Sequence, residues 1–293
     1  MEILLRIWNQ SLSKNSKMSI SAFIPVFNEE KRIRYALTSI QWCDEIIVLD
    51  KTSSDRTVEI AKEFGTKVLV MPNSESYNVD EFDYLVKYCT SEWVIIFTAS
   101  DIMDVELAHE IKRLTSLNNF EYDIIEVPFK RYILGIEDKR SPWHGKFSSS
   151  VFRRSTLKIR KEEVHGALSF ESNRKYTIQG LNHSAIHHLT HETVDSMMDR
   201  HLRYWRAEGA NYTEPSMKKA FRGVLRALKH VFFRNTILLG WNGIALICAY
   251  LSYAMMSFVY KWEKKNNNAT TIYQQIRESS IKNWKKCETN FHD

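Results

Sequence analysis

Residues 19–57, SISAFIPVFNEEKRIRYALTSIQWCDEIIVLDKTSSDRT, constrain the fold more than any other part of the chain. An apolar run over residues 20–26 breaks at Phe27-Asn28-Glu29-Glu30, and a second, over 46–49, stops at Asp50. Between them Ile33, Leu37 and Ile40 share one face of a helix. After Asp50 a Thr/Ser/Asp loop opens another helical pattern. The segment therefore reads as strand–helix–strand, with a carboxylate at the carboxyl end of the second strand. Open α/β sheets bind their ligands at those strand ends.

The alternation continues beyond this unit. Strand patterns fall at residues 20–26, 45–49, 67–70, 93–97 and 124–128, with helical patterns at 31–40, 56–64, 82–88 and 105–117. That spacing predicts a mostly parallel sheet covered by helices on both faces. After Pro128 the alternation fades into a stretch, 129–190, rich in aromatic, basic and histidine residues. Two basic, apolar-periodic segments follow at 192–211 and 217–233, and 266–293 is polar with a helical tendency around 272–284.

Composition narrows the class. With 293 residues, 44% hydrophobic and 12% aromatic, the chain is able to bury a sizeable core, and 26% charged residues argue against global disorder. A net charge of +6 suits an anionic partner: nucleic acid, anionic lipid or a sugar nucleotide. Cys43, Cys89, Cys248 and Cys287 lie far apart without a CxxC pair, which disfavours structural zinc and fits reduced thiols in a cytosolic protein. The opening MEILLRIW has an apolar run too short for a signal peptide.

Two ordered motifs resemble the start of glycosyltransferase family 2, inverting enzymes of the GT-A fold. The family's first strand ends in Pro-x-Tyr/Phe-Asn-Glu, here Pro25, Phe27, Asn28 and Glu29. Its second ends in Asp-x-x-Ser-x-Asp-x-Thr, here Asp50, Ser53, Asp55 and Thr57. The similarity is greatest to the lipopolysaccharide-core branch and extends over roughly residues 19–259. It implies an N-terminal extension (1–17), a nucleotide-sugar-binding half (18–120), an acceptor-binding half (121–215), membrane-associating helices (216–265) and a polar tail (266–293). It further implies a nucleotide pocket of Pro25, Phe27, Glu29, Asp50, Thr52 and Asp55. There Phe27 would stack near the base, and Asp50 would accept a hydrogen bond from base or ribose. Core packing for Phe27 and helix capping by Ser54 or Asp55 are the competing roles.

The resemblance weakens at the metal site. Relatives carry Asp-x-Asp after the fourth strand, holding Mg²⁺ or Mn²⁺ against the diphosphate. Here Thr98 and Ser100 occupy those positions, and Asp101 is left as the candidate ligand. The alternative is that Ser100, Asp101 or Asp104 caps the helix beginning at Val105. On the acceptor side the branch shows Phe-Arg-Arg and then Val-His-Glu, where this chain has Phe152-Arg153-Arg154 and Val164-His165-Gly166. An inverting transfer needs a base for the acceptor hydroxyl. With glycine in place of the glutamate, His165 and Glu163 are the candidates, then His144, with Arg153 as an acceptor-side residue. The histidines at 183, 187 and 188 favour structural or acceptor roles over zinc. The resemblance also implies a strand there, followed by a helix carrying Arg203, Tyr204, Glu208 and Ala210.

Residues 236–260 contain no charge, and basic residues flank them on both sides: Lys218, Lys219, Arg222, Arg226, Lys229 and Arg234 before, Lys261, Lys264 and Lys265 after. Positive charge at both ends argues against a simple span. An in-plane or re-entrant helix pair on an anionic leaflet is expected, with a buried core helix or a homodimer interface as the alternative.

The sequence thus leads to an inverting glycosyltransferase at the inner face of a bacterial membrane. It would move a sugar from a nucleotide-sugar donor to a lipid-linked saccharide in lipopolysaccharide, O-antigen or capsule assembly. A pseudoenzyme of the same fold is the rival, given the lost Asp-x-Asp and Gly166. Nucleic acid is not an expected partner, because no recognised nucleic-acid motif accompanies the charge.

Overall fold

A computed structural model describes residues 19–73, 81–159, 168–181 and 184–288. The first half contains β1 (Ile20–Val26), α1 (Ile33–Ile40), β2 (Glu45–Asp50), α2 (Thr57–Glu63), β3 (Lys67–Val70), α3 (Glu81–Tyr88), β4 (Trp93–Ile96), β5 (Asp101–Met103) and α4 (Val105–Thr115). The second adds β6 (Ile124–Ile133), β7 (Phe147–Arg153), β8 (Leu157–Ile159), β9 (Leu168–Phe170), β10 (Lys175–Thr177), β11 (Ile186–Thr190) and α5 (Val194–Ala210). One nine-stranded sheet runs through both halves in the order β3-β2-β1-β4-β7-β6-β11-β5, with β10 also on β6. β8 and β9 form a separate antiparallel pair.

The α/β, GT-A-like architecture expected from the sequence is present. The strand and helix patterns of the first half lie where their periods put them. The stretch after Pro128, which showed no alternation, nevertheless joins the same sheet. It does so partly through antiparallel pairs, β7 with β4 and with β6, and β11 with β5. Antiparallel strands do not require crossover helices, which is why no strand–helix alternation marks them.

Apolar residues alternate between two cores, as the two-residue period of a strand requires. Ile20, Ala22 and Ile24 face Ile33, Leu37, Ile40, Leu107 and Ile111 on one side. Phe23, Ile47, Leu49 and Val94 face Phe82, Leu85 and Phe152 on the other. Strand β1 has parallel neighbours on both sides, β2 and β4, so the chain order reverses direction there. Such a switch point leaves a crevice at the carboxyl ends of the strands. Pro25 fits its place in this central strand. The ladder to β4 ends at Phe23–Ile96, and Phe97 donates to the Phe23 carbonyl at 3.0 Å. Residue 25 faces the same neighbour one step later, beyond the paired stretch, so its missing N–H costs no ladder bond.

Beyond α5 come α6 (Lys218–Phe233), a 3₁₀ turn (Thr236–Leu239), α7 (Trp241–Asn266) and α8 (Ala269–Glu288). Helix α7 is long and apolar enough to cross a membrane by length and composition. Its second half is instead fastened to α5. Trp205 Nε1 donates to the Tyr253 carbonyl at 3.0 Å, and Glu208 accepts from Tyr253 Oη and Lys261 Nζ, both at 2.6 Å. The glycines that interrupt the apolar run make its turn. Gly240 has φ +63 and ψ −137, a region open essentially to glycine alone. A Cβ on Gly243 would lie 2.1 Å from the Thr236 carbonyl oxygen.

Candidate functional site

The crevice between β1 and β4 is framed by the loops that follow β1, β2, β4 and β11. The first two loops are stitched together by side chains. Asn28 N donates to Ser53 Oγ at 2.9 Å, and Asn28 Oδ1 accepts from Ser54 N at 2.8 Å. Glu29 N donates to Thr57 Oγ1 at 2.7 Å, and Glu30 N to Asp55 Oδ2 at 3.1 Å. Asn28 and Thr52 both adopt left-handed backbone angles, φ 53 and φ 62, which turn the chain sharply at each strand end.

Five of the six expected nucleotide residues therefore sit on these two loops or at their strand ends, and Pro25 lies just before. Asp50, 3% exposed, closes β2 and accepts from Ser53 N at 3.2 and 3.1 Å. Phe27 is half-buried immediately past β1, and Thr52 is exposed. Asp55 binds Glu30 N and also Thr57 N at 3.0 Å, so it clamps the two loops. Burial pushes its carboxyl up, but the Thr57 hydroxyl and the Glu30 and Thr57 amides outweigh this and hold it below the usual range. Glu29 accepts from Arg32 Nε at 2.8 Å, while Arg32 Nη1 donates to Ser100 Oγ at 3.0 Å. Arg32 thereby bridges the crevice from the loop after β1 to the turn after β4. A cleft of about 290 Å³ opens beside it, lined by Asn28, Arg32, Asp55, His191 and Arg200 among others.

Asp101 stands on that turn, 5% exposed, but both of its oxygens are engaged. Oδ2 accepts from Thr98 N at 2.7 Å and from Thr98 Oγ1 at 2.9 Å, and Oδ1 pairs with His188 Nδ1 at 2.6 Å. Among the described residues no group of three or more His, Cys, Asp or Glu could hold a metal ion. A single occupied carboxylate, two neutral hydroxyls and a guanidinium on Ser100 make a poor donor set for Mg²⁺ or Mn²⁺. In this arrangement the Asp101 carboxylate anchors Thr98 and His188. The capping role is not observed. Asp104 precedes α4 without a side-chain bond to its amides and accepts instead from Ala185 N at 3.0 Å and pairs with His187 Nε2 at 2.9 Å.

The acceptor-side candidates separate. Glu163 and His165 fall outside the described residues. His144 lies in the loop between β6 and β7, which the C-terminal helices hold. His230 Nε2 is 3.0 Å from the Pro142 carbonyl oxygen, and Arg234 Nη2 donates to the His144 carbonyl at 3.2 Å. Arg153 is at the opposite end of the sheet from the crevice. It pairs in register with Trp93, the first residue of β4, with its guanidinium 4.7 Å from the Trp93 ring centroid. It also pairs with Glu92 and donates to the Phe120 carbonyl at 2.9 Å. A strand's length therefore separates Arg153 from the loops just described.

Sequence reasoning passed over Arg32, Arg131 and Arg200, none of which lies in a recognisable motif. It noted His188 only as one of a histidine cluster. The pairing of His188 with Asp101 arises from the antiparallel register of β11 and β5, which sequence spacing does not encode.

The sequence matches the model described as "Glycosyl transferase family 2" over residues 21–170, just over half of the chain. An uncharacterised glycosyltransferase of Rickettsia prowazekii is 26% identical over 273 residues, covering 86% of this chain and 90% of that protein. Another, of Rickettsia typhi, is 39% identical over 101 residues, and the match spans only 34% of the length of each. Among solved structures, S. aureus TarS in complex with UDP is similar with a TM-score of 0.46 and 14% identity, over 88% of this chain and 92% of that one. With the motif-bearing loops at the β1–β4 switch point and the family match spanning both halves of the sheet, the chain belongs to glycosyl transferase family 2.

Proposed function

We propose that the protein is an inverting glycosyltransferase that moves a sugar from a nucleotide-sugar donor to a lipid-linked saccharide at the inner face of a bacterial membrane, in lipopolysaccharide, O-antigen or capsule assembly. The donor half of the reading rests on the family and on Asp50, a buried carboxylate at a strand end beside the switch-point crevice. In the transfer, the acceptor hydroxyl oxygen forms a bond to the anomeric carbon as the bond to the β-phosphate oxygen breaks. The departing electron pair stays on the nucleoside diphosphate, and the hydroxyl proton passes to a base.

The single observation that carries the membrane and lipid part is an apolar tip at the α6–α7 turn. Phe232, Phe233, Leu238 and Trp241 are 77%, 68%, 68% and 84% exposed there. A contiguous patch of this kind marks an interaction surface. Lys219, Arg222, Arg226 and Lys229 share the neighbouring face of α6. Apolar tip with basic flank suits an anionic leaflet. The fastening of residues 253–261 to α5 leaves roughly twelve residues of α7 beyond it, about 18 Å of helix, short of a bilayer's ~30 Å core. That length supports a peripheral placement. The same tip is continuous with the loop that carries His144, so the acceptor would be met near the headgroups.

The test is a panel of nucleotide sugars incubated with the full chain and extracted lipid-linked saccharides, read as nucleoside diphosphate release and a mass shift of the lipid. Release from one donor that rises with lipid acceptor supports the proposal. Nucleotide binding without turnover of any donor would favour the pseudoenzyme. Transfer to a soluble acceptor alone would sink the lipid-linked part.

A further inference from the structure

We propose that fixed guanidinium groups, chiefly Arg131 and Arg200, take the place of a divalent ion in holding the donor's diphosphate; this rests on the donor reading above. Neither guanidinium has a carboxylate within ion-pair distance among the described residues. Arg131 Nη1 donates to the Trp143 carbonyl at 3.0 Å, and Arg200 Nη1 donates to Thr190 Oγ1 at 3.0 Å. Both partners are neutral, and a partly buried cation with neutral partners is stabilised by an anion that arrives later.

The two arginines belong to one neighbourhood. Arg131 on β6 is in register with His188 on β11, which binds Asp101 at the turn after β4. Arg200 lines the cleft together with Arg32 and His191. His191, 8% exposed, lies among Arg200, His201, His188 and Arg131, and burial together with these neighbours drives its imidazole down to about 3. Burial is the larger cause, and the cationic neighbours add to it. Carboxylates also line the cleft, and Asp101 acts on Arg131 from the turn after β4. Glu29 is bound to Arg32, Glu30 to the Arg56 amide, and Asp55 to Thr57, leaving exposed Glu192 at the rim.

This arrangement complements the altered turn. Where relatives have two carboxylates and an ion, this chain has Thr98, Ser100 and a guanidinium on Ser100. Without the two carboxylates the turn attracts a dication less, and the diphosphate's charge is left for the guanidinium groups to meet. Guanidinium groups present planar, bidentate donors to phosphate oxygens and need no recruitment from solution.

Isothermal calorimetry on the full chain tests this with UDP, GDP, ADP, CDP and dTDP, each in EDTA, in Mg²⁺ and in Mn²⁺. The expected result is one nucleotide whose affinity in EDTA is within about twofold of that with either metal. Arg200→Ala and Arg131→Ala should each weaken that diphosphate roughly tenfold or more and erase its advantage over the corresponding monophosphate. Lysine at either position should restore part of it. A merely structural role would weaken mono- and diphosphate alike, and that outcome overturns the proposal even when the variant melts normally. Binding that appears only with Mg²⁺ or Mn²⁺ overturns it too, while leaving the donor reading intact. Failure of every nucleotide under all three conditions sinks both.

Discussion

Asp101 Oδ1 and His188 Nδ1 meet at 2.6 Å across the antiparallel pair of β5 and β11, joining the turn after β4 to the last strand before α5. The contact ties the donor-side turn to the second half of the sheet. Asp101→Ala would leave Thr98 N, Thr98 Oγ1 and the imidazole without their acceptor. We expect a loss of roughly 1.5–3 kcal/mol, the range for hydrogen bonds to a charged group, with a smaller loss for Asp101→Asn. Thermal denaturation of the three proteins checks the order; equal melting temperatures would show the contact to be dispensable.

Asp50→Ala should weaken the preferred nucleotide about ten- to a hundredfold, as expected on losing a charged hydrogen-bond partner. Asp50 also receives Ser53 N, so the variant's melting temperature must be read beside its affinity. Unchanged calorimetric affinity would remove Asp50 from the pocket.

Stability should fall as the medium is acidified below about pH 6.5. Burial first, then neighbouring cations, lowers His191 to about 3 and His201 to about 4. A histidine lowered in the folded state leaves the unfolded chain binding more protons, so stability is complete above the unfolded value near 6.5 and declines as pH drops toward the folded values. The slope is at most about 1.4 kcal/mol per pH unit for each histidine. Urea unfolding between pH 7 and 4.5 measures it. His201→Phe should flatten the profile, and an unaltered slope would mean that His201 is not held neutral.

Gly243→Ala should destabilise the α6–α7 turn, because the added Cβ would meet the Thr236 carbonyl oxygen at 2.1 Å. Overpacking of this kind costs on the order of 1–3 kcal/mol. A backbone acceptor cannot swing away as a flexible side chain would. Hydrogen exchange at residues 236–246 is the sensitive measure, with faster exchange in the variant than in wild type.

Replacing Lys219, Arg222, Arg226 and Lys229 with Glu should release the protein from vesicles of anionic lipid at low salt and leave nucleotide affinity unchanged. The cations line one exposed face and contribute a screened, long-range term. Trp241→Ser should weaken association at any salt concentration, since its contribution is apolar. Retention of the quadruple variant on anionic vesicles would refute electrostatic docking.

The sequence alone determined the parts of this protein that repeat with the period of one element. Ile33, Leu37 and Ile40 specify the buried face of α1, the run from Ile20 to Val26 specifies a strand covered on both faces, and Asp50 is marked by where its strand stops. The loop motif from Phe27 to Thr57 is legible for the same reason: its bonds join residues about twenty-five positions apart, through strand ends already placed by period. Tertiary structure alone decided the rest. Antiparallel register set His188 against Asp101 and moved Arg153 to the far end of the sheet from the crevice. Packing of α5 gathered Arg200, His191 and Arg131, which lie on three different elements. Sequence encodes which residues share a face of one helix or strand. It does not encode which strands become neighbours, because that depends on burying both faces of the sheet at once, and the cations around the turn are brought together only at that step.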